Sequence, residues 1–158
     1  VTLQLIDLYI KSNKYDEAFK YIKVAKEQDP SNYSLYFASG IMYLNQNKFD
    51  DAISELSKAV EFKSDVYDLQ YAMGVAYINK AAAMFVKAND IMDVAKYTDA
   101  INEANAVYAK ALPFMEKALE LKPDDVYAMR SLKELYYRLK MTDKYDAIKA
   151  KLDAIDQK

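Results

Sequence analysis

A chain of 158 residues with a net charge of -2 and 53% hydrophobic residues can bury a sizeable core, as one compact domain or a short repeat array. Two Gly and three Pro are too few for the turns of an all-β fold, while plentiful Ala, Leu, Lys, Glu and Met favour an all-α one. Interspersed charges give no basic footprint for nucleic acid, and no apolar run nears the roughly 20 residues of a membrane span. The lack of Cys and His removes thiolate chemistry, the usual general base and the commonest zinc ligand, so neither a metal nor another cofactor is expected.

Taken in chain order, apolar periodicity and breaks predict helices over about 1–11, 14–28, 33–46, 48–62, 66–91, 97–121, 125–140 and 143–156. Val1 is not an initiator, so the chain reads as a fragment or processed product with any targeting segment upstream. Ser12-Asn13-Lys14 and Asn45-Gln46-Asn47-Lys48 read as inner turns of helix hairpins. Asp29-Pro30-Ser31-Asn32, Lys63-Ser64-Asp65 and Lys122-Pro123-Asp124-Asp125 read as breaks carrying cap residues for the next helix. Asp50-Asp51 and Asp124-Asp125 fall at helix starts, where carboxylates complement the dipole, and so are read as caps and not as a catalytic pair.

The elements repeat. Tyr9, Tyr43 and Tyr77 are 34 residues apart, as are Gly40 with Gly74, Ala18 with Ala52 and Ala25 with Ala59. Tyr77 to Tyr136, Ala59 to Ala118 and Ser64 to Pro123 are 59 apart, one period plus about 25 residues, which places a single insertion between Tyr77 and Ala118. Within it, Gly74, Tyr77, Ala81, Met84, Ala88, Ile91 and Ala95 recur at steps of three and four. Tyr97, Ile101, Ala104, Tyr108, Ala111, Met115 and Ala118 do so on the return. The expectation is a third hairpin lengthened by about 12 residues in each helix, turning near Asp93 to Lys96, with Pro113 bending the second helix.

This pattern resembles the tetratricopeptide repeat family. Tyr36, Gly40, Tyr43, Ala52, Leu56, Ala59 and Ser64 occupy its consensus sites in the second unit, and Tyr9, Ala18, Ile22, Ala25 and Pro30 in the first. Gly74, Tyr77, Ala111, Met115, Ala118 and Pro123 supply the third, around the insertion. The last keeps Tyr136 but has Lys133 at the Gly site and a longer turn before Tyr145. The units expected are 1–32, 33–66, 67–125 and 126–158. The last would be a degenerate cap with Tyr145, Ile148, Leu152 and Ile155 on one side, in one all-α superhelical domain. The long third hairpin and the closing Leu135-Tyr136-Tyr137-Arg138 resemble exported bacterial members. That likeness leans towards the periplasm, with the cytoplasm as the alternative.

One further face is informative. About a quarter-turn from Tyr36, Gly40 and Tyr43 lie Phe37, Ile41 and Leu44, with Asn45 at the edge. One period on, these become Tyr71, Val75, Ile78 and Asn79. The first unit offers Leu3, Asp7, Ile10 and Lys11, and the last offers Tyr127, Arg130, Glu134, Tyr137 and Arg138. The resemblance implies that this face binds a protein or peptide, so the chain is expected to be a scaffold or adaptor and not an enzyme. The other reading is that the face packs on neighbouring helices. Arg130 and Arg138, the only arginines, either hold a partner carboxylate or form a surface triad with Glu134. The family's carboxylate-clamp sites hold Leu3, Asp7, Phe37, Asp68 and Tyr71, which points to an apolar or aromatic partner segment instead. Self-assembly through the long hairpin, giving a homo-oligomer, is the alternative function.

Overall fold

The computed structural model describes residues 4, 8, 9, 11, 12 and 14–156. Leu3, Asp7 and Ile10, expected on the first face, lie outside the described residues. Eight helices run from residue 15 to 156, and among the described residues there is no strand. They are α1 (Tyr15–Gln28), α2 (Tyr33–Asn45), α3 (Phe49–Phe62), α4 (Tyr67–Ala88), α5 (Val94–Ala109), α6 (Leu112–Leu121), α7 (Val126–Arg138) and α8 (Thr142–Asp156). They form two compact units, Val1–Asp65 and Val66–Lys158.

In the first unit α1 packs on α2 and α2 on α3. Ala18, Ile22, Leu35 and Met42 form its core, and Ala52, Leu56 and Ala59 of α3 are fully buried. The α2–α3 approach depends on Gly40. A Cβ there would stand 2.5 Å from Leu56 Cγ, inside van der Waals contact, so this crossing has no room for a side chain. Asn32 caps α2 by accepting from the Ser34 amide at 3.2 Å.

In the second unit α4 packs on both α5 and α6, α6 on α7, and α7 on α8. Its core joins Ala81, Tyr108, Met115, Leu132, Tyr136 and Leu152. The geometry of Gly40 and Leu56 recurs between Gly74 and Met115, where a Cβ would lie 2.7 Å from Met115 Cγ. Ala111 and Ala118 are as fully buried as Ala52 and Ala59. The same close approach therefore joins α4 to α6, with α5 between them in sequence.

One turn recurs in the chain. The Lys14 amide donates to Tyr9 O at 2.9 Å, Lys48 to Tyr43 O at 2.9 Å, and Met141 to Tyr136 O at 2.8 Å. These six-residue closures use a left-handed residue at Asn47 and at Lys140, each with φ 57°. The turn before Tyr145 is therefore the same length as the one after Tyr43, not longer. At the same distance after this turn, α8 carries bulky Tyr145 where α3 carries Ala52.

Four expectations about the elements are corrected. Helix α4 stops at Ala88, so the hairpin turns over Asn89–Asp93 and not near Asp93 to Lys96. Three-residue bonds tighten the end: Asn89 N to Val86 O, Asp90 N to Lys87 O and Ile91 N to Ala88 O. Asp93 then caps α5 through the Lys96 amide at 2.9 Å, which removes Ile91 from the expected seam. The helix expected over 97–121 is two helices. Pro113 has no N–H to return to Ala109, and Lys110 and Ala111 bond back only three residues. Finally, α4 starts from Val66 without a side-chain cap, so Ser64 and Asp65 do not serve there, whereas Asp125 caps α7 through Ala128 N at 2.7 Å.

Candidate functional site

On α2, Phe37, Ile41 and Leu44 are half-buried and Asn45 is exposed. Behind them the unit carries a polar cluster that periodicity does not disclose. Lys26 pairs with Glu55, donates to Ser39 Oγ at 3.1 Å and lies 4.2 Å from the Tyr36 ring centre. The buried Ser39 hydroxyl donates to Leu35 O at 3.0 Å, and Tyr36 donates to Pro30 O at 2.8 Å. Every polar group named here has a partner, so the cluster is a fixed joint between α1, α2 and α3.

On α4, Tyr71, Val75 and Ile78 are half-buried and pack on the second unit's core, while Asn79 is exposed. Tyr71 stacks on Tyr67 with ring centres 5.6 Å apart, and Lys122 stands 3.8 Å over Tyr67. Burial raises the Tyr67 hydroxyl well above its ordinary range, assisted by Asp125. These residues therefore support the unit at the same time as they line its surface.

The α7 face is more open. Tyr127 and Tyr137 are 68% and 67% exposed, and Arg130, Glu134 and Arg138 are exposed with them. Tyr137 leans on Tyr145 of α8, ring centres 5.8 Å apart. Arg138 Nε donates to Glu134 Oε1 at 2.7 Å. Its guanidinium carbon also lies 5.4 Å from the Phe85 ring on α4 and 5.3 Å from the Tyr108 ring on α5. The hydrogen bond to Glu134 raises the Arg138 pKa above its ordinary value. Burial raises the Tyr108 hydroxyl, with Glu134 adding to the effect and Arg138 opposing it.

Sequence reading placed Tyr127, Arg130, Tyr137 and Arg138 on one face but missed Phe85 and Tyr108, which hold Arg138 from two other helices. Phe85 lies off the three-and-four seam, and Tyr108 reads as core; only the fold brings them to the arginine. Beside Tyr137 a cleft of about 480 Å³ is lined by Tyr136, Lys140, Thr142, Tyr145 and Asp146. Among the described residues no group of three acids comes together to hold a metal, and no helix is long and apolar enough to cross a membrane.

Comparison with known proteins agrees with this architecture. The tetratricopeptide repeat family profile matches residues 33–66, the span of α2 and α3 with their turn. The solved structure of MamA AMB-1 superposes at a TM-score of 0.71 and 18% identity, over 99% of this chain and 72% of that one. A monomeric mutant of human IFIT1 with Gppp-AAAA superposes at 0.74 and 18% identity, over 96% of this chain and 32% of IFIT1. No curated protein matches by sequence. Residues 33–66 thus match a tetratricopeptide repeat, and the chain has an all-α, tetratricopeptide-repeat-like fold.

Proposed function

We propose that this chain is a non-catalytic scaffold that binds an apolar or aromatic segment of another protein on the first-helix faces of its repeats. Phe37, Ile41, Leu44 and Asn45 present that face on α2. Tyr71, Val75, Ile78 and Asn79 present it on α4, and Tyr127, Arg130, Tyr137 and Arg138 on α7. The observation that carries the reading is the α7 face: two tyrosines left two-thirds exposed beside an arginine braced by rings from two other helices. Tyr and Arg are enriched among interface hot spots, and a side chain already held in place loses little entropy on binding. The absence of Cys and His supports a binding role over catalysis.

The test is affinity capture from lysate with the intact chain and with a Phe37→Ala/Tyr71→Ala variant of equal helicity. A protein retained by the first and lost by the second is the expected result. Identical captures contradict the reading.

A second reading has its own observation. At the α4–α5 turn Met92 is 98% exposed, with Val86 and Val94 also open, which leaves apolar area suited to pairing between copies. A mass that rises with concentration, and returns to that of one chain in Met92→Asp/Val94→Asp, would favour self-assembly through the hairpin.

A further inference from the structure

Surface arginines ordinarily wave in solvent, and an exposed pair such as Arg138 with Glu134 adds little to stability. Arg138 differs in what lies beneath it. Its guanidinium spans the Phe85 ring of α4 and the Tyr108 ring of α5, at 5.4 and 5.3 Å, so three helices fix one cation. Its side chain nevertheless remains 44% exposed. Of the five N–H groups, Nε goes to Glu134 at 2.7 Å. Donors remain on the terminal nitrogens, in the planar fork that matches a carboxylate. Glu134, itself 52% exposed, occupies one side of that fork with an interaction that is cheap to give up.

The charge around the fork points the same way. The exposed face of α7 carries Arg130 and Arg138 against the single acid Glu134, with Tyr127 and Tyr137 beside them. That face is cationic and aromatic in a chain of net charge -2, and it suits an anion attached to an apolar group.

We infer that Arg138 is the receptor for a carboxylate in the bound segment, an Asp, Glu or chain terminus adjacent to an aromatic or apolar side chain that rests on Tyr137. Glu134 holds the guanidinium in register until the ligand arrives and is then displaced. This rests on the proposed binding role of the α7 face and adds the chemistry of its partner. It also ranks the contacts: Phe85 and Tyr108 are positioning residues, and Arg138 alone bonds the anion bidentately.

The experiment selects a random twelve-residue peptide library, displayed on phage, against the whole chain and against Arg138→Gln, Arg138→Lys and Glu134→Gln in parallel. Circular dichroism confirms that each variant keeps its helicity, as their exposure implies. Peptides with an acid next to an aromatic or apolar residue are expected from the native chain. A synthetic copy of the leading peptide should bind Arg138→Gln roughly tenfold or more weakly, the loss expected for a charged hydrogen bond. Arg138→Lys should recover only part of that loss, and Glu134→Gln should bind more tightly than the native chain. Replacing the peptide's acid by its amide should abolish the difference between native and Arg138→Gln. Apolar peptides selected equally by native and Arg138→Gln chains would overturn the carboxylate while leaving peptide binding intact. A library from which no chain enriches anything would overturn the binding role and this inference with it.

Discussion

At the scale of single residues, the two glycines show how the repeat is held. Adding a methyl group at a helical glycine gains about 1 kcal/mol of helix propensity, whereas overpacking a crossing costs about 1–3 kcal/mol. At Gly40 the obstruction is the branched Leu56 Cγ at 2.5 Å, which cannot withdraw without moving the residue, so the cost exceeds the gain. At Gly74 it is the fully buried Met115, whose Cγ stands 2.7 Å away but whose unbranched chain adapts more readily than that of Leu56. Gly40→Ala is therefore expected to lower the urea midpoint measurably, and Gly74→Ala to lower it by less. Equal losses, measured by circular dichroism, would show that both crossings are equally rigid. The consensus positions were legible in the sequence because a residue that permits close helix approach must be small wherever the crossing recurs. Ala18, Ala52, Ala59, Ala111 and Ala118 are all fully buried. The bracing of Arg138 was not legible, since it joins residues 85, 108 and 138 from three helices.

At the scale of elements, spacing located the helical segments after residue 14, but it ran α4 past its end, started α5 late and merged α5 with α6. The apolar steps run on through Ile91 and Ala95, yet the chain turns earlier. Asn89 and Asp90 close the last turn of α4, and Asp93 offers a cap at the only acid positioned to reach the Lys96 amide. Local capping chemistry outweighs a periodic pattern once the apolar residues have little to pack against, and Met92 is left in solvent. Pro113 gives a sharper test. The backbone at Lys110 and Ala111 already has helical dihedrals, φ/ψ of -65/-20 and -69/-26. Only Pro113, with no N–H and a ring that crowds the Ala109 carbonyl, separates α5 from α6. Pro113→Ala should close the gap, giving a new amide at position 113 that exchanges slowly. Stability should change by less than about 1 kcal/mol, because the unfolded chain regains the freedom proline withheld. Fast exchange at that amide would mean that packing, and not proline, sets the break.

For the molecule as a whole, the repeat decides the fold, but it leaves the ligand to the surface. The same helix position serves as support on α4, where Tyr71 packs on the core, and as open surface on α7, where Tyr137 does not. Periodicity assigned both to one face and could not tell them apart, because burial depends on what lies alongside each helix. The central claim is that these faces bind a partner segment. Calorimetric titration of the captured partner into the intact chain and into Phe37→Ala/Tyr71→Ala tests it most directly. Losing two aromatic anchors should weaken binding roughly tenfold or more, with helicity unchanged. Equal affinity of the two chains, both folded, would contradict the account and place recognition elsewhere on the molecule.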